Sequence, residues 1–313
     1  MFYLYISDSH NPYKNLATEE VLTDIANCHL NTYFLYFWKN KNSVILGRNQ
    51  DAFSEVNIDF LRTNKIKLAR RKTGGGAVFH DKNNLNFSFI IPKNKFDKTI
   101  SLNIIKNALL SLGINAEISG RNDILVNNKK ISGNAYLNKE NVTLHHGTIL
   151  LNTNFELLEN VLNVNTQKLK SHGVKSVKSR VLNLKDLYPK LTIKDLENAI
   201  QKEFEQTYSG KCIYFDKMPD IDVEFYSSDE WIFGDKKFIN QEKFSHKFDW
   251  GTCEIKILKS KHKKYIKIYS DSLDCEIIEL AENLLNISNK PPINSNPKIV
   301  EIFEFYNNIL SLQ

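Results

Sequence analysis

The densest chemistry in the sequence is Arg70-Arg71-Lys72-Thr73-Gly74-Gly75-Gly76-Ala77-Val78-Phe79-His80-Asp81. Consecutive glycines permit positive φ and a close backbone approach to a ligand. A run of exposed N–H groups can cradle phosphate oxygens, and arginine side chains offer planar forks for phosphate or carboxylate. The plain alternative is a flexible connection between strands, which the flanking arginines and His80 disfavour. The string matches neither GxxxxGK[ST] nor GxGxxG, so ordinary P-loop and dinucleotide-fold readings fail.

Three shorter groups can act beside it. In Gly120-Arg121-Asn122-Asp123, the carboxylate of Asp123 can hold Mg²⁺ next to phosphates, or the group is a simple Asn-Asp turn. In Lys130-Ile131-Ser132-Gly133-Asn134-Ala135, the lysine can neutralise charge that develops on phosphate in a transition state, or it is a solvated hairpin lysine. His145-His146-Gly147-Thr148 leads into an apolar strand. Adjacent strand residues face opposite ways, so the two histidines cannot share a metal and one of them is structural.

These groups need elements to position them. Phe2–Ile6, Tyr33–Trp38, Val44–Leu46, Lys67–Arg71 and Asn86–Ile91 read as strands, with the second and third expected to pair. Glu117–Asn152 reads as a β-meander turning at Asn127-Asn128-Lys129. Helices are expected from Leu16 to about Cys28, from Asn57 as N-cap through Leu61, around Leu102–Leu112 ending at Gly113, over Phe155–Leu162, and from the Thr192/Asp195 capping box to Tyr208. The pattern breaks between Ile239 and Gly251. Strands at Cys253–Leu258 and Tyr265–Tyr269 and helices at Glu276–Leu285 and Lys298–Leu312 follow. The expectation is a catalytic body over residues 1–242, a linker at about 243–249, and a small α+β domain over 250–313.

Composition narrows the function. With 42% hydrophobic and 25% charged residues in 313, the chain can build a core and is not disordered. The net charge of +6 suits an anionic ligand or an acidic partner. Basic residues are dispersed apart from Lys259–Lys264, which argues against nucleic acid. Cys28, Cys212, Cys253 and Cys275 form no CxxC pair, so neither zinc nor a disulfide scaffold is expected, and a reducing cytoplasm fits. No signal peptide or membrane span is expected.

Taken together, Arg70–Asp81, Gly120–Asp123, Lys130–Tyr136 and His145–Asn152 resemble the motifs of the lipoate–protein ligase A family in order and spacing. Leu46-Gly47-Arg48-Asn49-Gln50, the Ser176–Leu184 stretch and Phe244-Ser245-His246 before Trp250-Gly251 support the resemblance. It implies an α+β chain with a biotin-ligase-like, class II synthetase-like catalytic body. It also implies activation of lipoic acid with ATP and Mg²⁺ to lipoyl-AMP. The lipoyl group then passes to a lysine of an acceptor, either the lipoyl domain of a 2-oxoacid dehydrogenase E2 or the glycine-cleavage H protein.

Carried over by motif, Lys130 is the catalytic lysine, selected over Lys129 by the Lys-x-Ser-Gly spacing. Arg71, Thr73, Gly76, Ala77, Val78, Phe79, Asn122 and Asp123 join it around ATP and lipoyl-AMP, with Asp123 toward Mg²⁺. Arg71, Gly76, His80, Ser132, Gly133, Ala135, His146 and Gly147 line the lipoate side. Two other readings compete. A cysteine-dependent lipoyl or octanoyl transferase needs an activated thiol among the motifs, and none of the four cysteines falls there. A non-catalytic lipoate- or nucleotide-binding regulator has no use for Lys130. The C-terminal domain is expected to cover the site during activation and to swing away when the acceptor docks.

Overall fold

Tyr33–Trp38 (β2) is apolar at every position, and every residue of it is buried. A strand of that kind belongs in the middle of a sheet covered on both faces. In the computed structural model, which describes residues 1–120, 122–163, 180–260 and 264–311, β2 lies between Phe2–Ile6 (β1), parallel to it, and Asn84–Pro92 (β6), antiparallel to it. The sheet continues through Val142–Leu150 (β10), Lys129–Asn138 (β9), Asp123–Val126 (β8) and Glu117–Ser119 (β7), with Ile213–Tyr214 (β11) beyond β1. Alternate residues of β2 serve opposite layers. Leu35 and Phe37 pack with Phe87, Phe89 and the helices Lys98–Ser111 and Ile193–Thr207. Phe34, Tyr36 and Trp38 pack with Leu16, Leu22 and Ala26 of the helix Pro12–Cys28.

A second sheet carries the glycine loop. Ser43–Leu46 (β3) pairs in parallel with Lys67–Arg70 (β4) and antiparallel with Val78–His80 (β5). The expected β2–β3 pairing is therefore not formed. Both edges of β2 are already taken by β1 and β6, so β3 must find partners elsewhere. The helix expected from Leu16 starts four residues earlier, at Pro12, where Asn11 caps it. The Asn57 cap, the Thr192/Asp195 capping box and the positive φ of Gly113 stand as read. Asn127 and Asn128 both adopt positive φ, the conformation a two-residue hairpin turn requires.

The segment expected as a linker is a strand. Lys243–Phe248 (β12) pairs with Gly251–Lys259 (β13), which pairs with Lys264–Ser270 (β14). It reads as a break because it is an edge strand with Lys243, Ser245 and Lys247 exposed, while Phe244 and Phe248 pack inward. The helices Cys275–Leu285 and Pro297–Ser311 cover this sheet through Ile278, Ile302, Phe303 and Tyr306, which gives the C-terminal unit a core of its own. Among the described residues, no helix is long and apolar enough to cross a membrane.

Candidate active site

The two adjacent arginines separate into different tasks: Arg70 is the last residue of β4 and Arg71 the first beyond it, and their side chains find different partners. Arg70 is 5% exposed and turns away from the glycines. It donates to the carbonyls of Gly47, Arg48 and Gln50 and to those of Trp231 and Ile232. It is a structural pin, and the expectation that both arginines serve a ligand is corrected for it. Arg71 clamps the loop itself, donating to Thr73 Oγ1, to Ile45 O, and to the carbonyls of Gly74 and Gly76. Burial lowers each guanidinium to about 10, so both remain charged at neutral pH.

The glycines are required by crowding. A Cβ on Gly47 would fall 1.9 Å from Gly75 O, and one on Gly74 would fall 2.3 Å from Ser272 O. Gly75 also has φ +90°. The second clash shows that the C-terminal unit braces the loop from behind. Gly75 N donates to Ser272 O at 2.9 Å. Nearby, Asn49 Nδ2 donates to Cys275 O at 2.9 Å, Arg48 pairs with Glu279, and buried Lys256 pairs with Asp51 at 2.7 Å. Among the described residues, none of the C-terminal unit lines either of the two cavities described below. The unit buttresses the glycine loop here, where covering of the site was expected.

Lys130 and Asp123 face each other across β8 and β9, with Lys130 Nζ 2.7 Å from Asp123 Oδ1. An irregularity in β8 between Ile124 and Leu125 shifts the register there. The Lys130 chain lies over Gly133, where a Cβ would come within 2.9 Å of both Cε and Nζ. The Lys-x-Ser-Gly spacing thus has a steric meaning: the glycine opens the lane that the lysine occupies. Lys129 is exposed, and the Lys130 backbone is held by Val181 and Leu182.

Two cavities meet at this lysine. One, about 270 Å³, is lined by Gly76, Ala77, Val78, Phe79, Ser132, Thr148, Leu158 and Arg180 among others. The other, about 130 Å³, is a slot walled by Leu16, Trp38 and Ile45, with Arg71, His80, Asn122, Ala135, His146 and Gly147. Lys130, Gly76 and Gly133 border both. Of the residues expected at the site, Thr73 reaches the slot only through others, and Asp123 acts through its contact with Lys130. Arg121 and the Ser176–Ser179 stretch lie outside the described residues.

The histidines divide as expected. His145 is fully buried against Tyr136 and bonds to Ser101 Oγ and Asn134 Oδ1. Burial holds its pKa well below the usual value. His146 faces the slot, with Nε2 2.9 Å from Thr73 Oγ1 and Nδ1 2.9 Å from Glu19 Oε1. Glu19 is itself buried and accepts from Ser88 Oγ at 2.5 Å. Sequence reasoning missed Glu19, Leu16, Trp38 and Ser272. A carboxylate on the inward face of the first helix is the one local signal that pointed to Glu19.

A small slot with Leu16, Trp38 and Ile45 in its wall, meeting a larger cavity at Lys130 beside a glycine loop, fits one enzyme class. It is a ligase that joins an acyl carboxylate to a phosphate-bearing co-substrate. Residues 11–205 match the lipoyl protein ligase A/B catalytic domain, and the chain belongs to that family. A lipoate-protein ligase A of Bdellovibrio bacteriovorus is 38% identical over 300 residues, covering 90% of this chain and 86% of the relative. The fold resembles P. falciparum LipL1 in complex with lipoate, with a TM-score of 0.83 and 27% identity over 98% of this chain and 100% of that one. It also resembles a bi-partite lipoate protein ligase of Thermoplasma acidophilum, studied with its E2 lipoyl domain, at TM-score 0.65 and 31% identity over 74% and 96%. A lipoate-protein ligase A bound with ATP matches at TM-score 0.65 and 29% identity over 74% and 98%.

Proposed function

We propose that this chain activates lipoate with ATP as lipoyl-AMP and transfers the lipoyl group to a lysine of an acceptor protein. The observation that carries this reading is that Lys130 borders both cavities. The slot takes the acyl chain of lipoate and the larger cavity takes the nucleotide, so carboxylate and α-phosphate meet at the ammonium. Activation brings like charges together, and a cation fixed at their junction stabilises the transition state more than the separate substrates. The carboxylate oxygen attacks the α-phosphorus and pyrophosphate leaves.

Asp123 holds Lys130 in place before the substrates arrive. A single carboxylate beside a phosphate chamber also suits Mg²⁺, which completes its shell from phosphate and water. Among the described residues, no group of three His, Cys, Asp or Glu would hold a metal without that phosphate. Asp123 with Asn122 is the side on which Mg²⁺ would sit, and there it would neutralise phosphate charge. Arg71 supplies the shape of the loop and a positive charge at the slot. Ala77, Val78 and Phe79 present backbone to the nucleotide, and Ser132, Gly133, Ala135, His146 and Gly147 close around the acyl chain.

In the second step the acceptor amine attacks the acyl carbonyl and AMP leaves. The acceptor is a lipoyl domain of a 2-oxoacid dehydrogenase E2 or the glycine-cleavage H protein, met in the cytoplasm. The body of the enzyme spans residues 1–242 and the accessory unit the remainder. A thioester mechanism is disfavoured because no cysteine lines either cavity. Burial pushes the thiol of Cys275 up and that of Cys212 up to about 12. The test is incubation of an apo lipoyl domain with protein, ATP, Mg²⁺ and lipoate, read by mass spectrometry and by lipoate-dependent ATP–pyrophosphate exchange. Absence of both in folded protein overturns the reading, and exchange separates an enzyme from a binding regulator.

A further inference from the structure

Asp123 opens β8 at its irregular end. The pairing of β8 with β9 shifts between Ile124 and Leu125, and Gly120, just ahead of the strand, has φ +58°. A clasp between Asn122 and Asn134 holds this end in place. Asn134 N and Asn134 Nδ2 both donate to Asn122 O, at 3.0 and 2.9 Å, and Asn122 Nδ2 donates back to Asn134 O at 2.5 Å. The residue after Asn122 is Asp123, whose carboxylate fixes the Lys130 ammonium.

The amide of Asn134 has one workable orientation. A carbonyl oxygen only accepts, so the group facing Asn122 O is Nδ2, and Oδ1 faces His145 Nε2 at 2.9 Å. His145 Nε2 must therefore carry a proton and donate. Burial, with His146 and Lys98 nearby, holds the pKa of His145 well below its usual value, so the ring is neutral at physiological pH. Its Nδ1 is then bare and accepts from Ser101 Oγ, 2.5 Å away. His145 is fully buried, stacked on Tyr136 and edge-on to Phe87 and Phe89, so its donor is shielded from solvent. Gly147 makes room for the arrangement, since a Cβ there would fall 2.4 Å from Asn134 Oδ1.

We infer that His145 and Asn134 are positioning residues for acyl activation: the Nε2–H of His145 aims the Asn134 amide, the amide holds Asn122, and Asp123 and Lys130 are thereby kept at the junction of the two cavities. The inference rests on the reading of Lys130 as the group at which carboxylate and α-phosphate meet. His145 is too deeply buried to touch a substrate and acts only through Asn134 and Asn122. Its task exceeds filling the core, because a reacting group misplaced by ~1 Å can lose about 10²-fold in rate.

The experiment measures lipoate-dependent ATP–pyrophosphate exchange in native protein, Asn134→Ala, Lys130→Ala and the double variant, with circular dichroism as the control for folding. Asn134→Ala removes the amide and keeps the backbone bond to Asn122. Its kcat is expected to fall roughly tenfold, as for a displacement of a fraction of ~1 Å, with KM for lipoate and ATP near native. On top of Lys130→Ala it is expected to add almost nothing, because the ammonium it positions has gone. A native kcat in folded Asn134→Ala overturns the inference. So does an undiminished tenfold loss in the Lys130→Ala background, which is the mark of a merely structural role. For His145, the Leu variant removes the donor and should reproduce the loss, whereas His145→Gln supplies an N–H and should recover most of it; equal losses in the two overturn the inference. Should the variants not fold, native protein decides. Its ¹⁵N-histidine spectrum is expected to show His145 neutral with the proton on Nε2, and a proton on Nδ1 overturns the inference. Native protein without exchange overturns the ligase reading itself, whereas exchange indifferent to Asn134→Ala leaves that reading standing and removes only the positioning role.

Discussion

Gly133→Ala tests whether the position of the Lys130 ammonium governs the chemistry. The added Cβ would stand 2.9 Å from Lys130 Cε and Nζ, and ordinary contact begins at 3.4 Å, so the side chain must retreat by 3.4 − 2.9 = 0.5 Å. The obstructing atoms are the far end of a flexible chain, so the fold yields cheaply. Replacing a strand glycine also reduces the entropy of the unfolded chain by about 0.5 to 1 kcal/mol. Stability should therefore be unchanged or slightly raised. Catalysis is less tolerant, because a misplacement of ~1 Å at a reacting group can cost about 10²-fold. Half that displacement implies a loss on the order of tenfold in kcat. The assay is pyrophosphate release at saturating ATP and lipoate, with thermal unfolding as the control for folding. In a Lys130→Ala background the same substitution should add almost nothing, because its target has gone. An unaltered kcat in folded Gly133→Ala protein refutes the assignment of the ammonium to the reacting position. An undiminished tenfold effect on top of Lys130→Ala refutes it equally.

Further outcomes follow from the same geometry. Lys130→Ala should reduce lipoate-dependent exchange by about 10²- to 10³-fold while Lys129→Ala, at an exposed position, stays near native; comparable losses would place both lysines in the site. Replacing Cys28, Cys212, Cys253 and Cys275 together by alanine should preserve most activity in protein that is folded by circular dichroism, and recovery from inactivity on restoring one cysteine would revive the thioester route. A chain ending before Lys243, so that the small sheet is removed whole, should lose lipoate activation far more than transfer from supplied lipoyl-AMP, because Ser272 no longer braces Gly75; equal loss of both steps in a folded truncation assigns the unit a general stabilising role. His80 and His145 are buried neutral, with pKa values depressed to about 3 and well below normal respectively, so the unfolded chain takes up their protons first as pH falls below ~6.5. Stability should drop by about 1.4 kcal/mol per pH unit for each histidine below that point, and His145→Gln should flatten the urea-midpoint profile between pH 6 and 5 if this accounting holds.

Much of the machinery was legible before any coordinates. The triglycine string, the Lys-x-Ser-Gly spacing and the opposed histidines all depend on local rules: glycine conformational freedom, strand alternation and turn chemistry. Strand alternation says only that the two histidines face opposite ways, and the choice of Lys130 and His146 comes from the family resemblance; in the structure Lys129 is exposed, and Lys130 and His146 border the slot. Local rules misread Arg70, because a guanidinium that serves five backbone carbonyls looks in sequence like one awaiting phosphate. They also misread Lys243–Phe248, whose polar outer face hides an edge strand.

The sequence by itself determined which residues could do chemistry and which elements would carry them, because composition, periodicity and short motifs act within a few residues of each other. Partners distant in the chain were decided only by the tertiary structure. Glu19 meets His146 across 127 positions, Ser272 meets Gly75 across the boundary between two cores, and β2 refuses β3 because both its edges are occupied. Asn40 likewise meets His80 across 40 positions and Asn15 across 25, contacts that no local pattern announces. Such contacts are fixed by how whole layers pack and by the need of each buried polar group to find a partner, and both conditions are met only when the entire chain is in place.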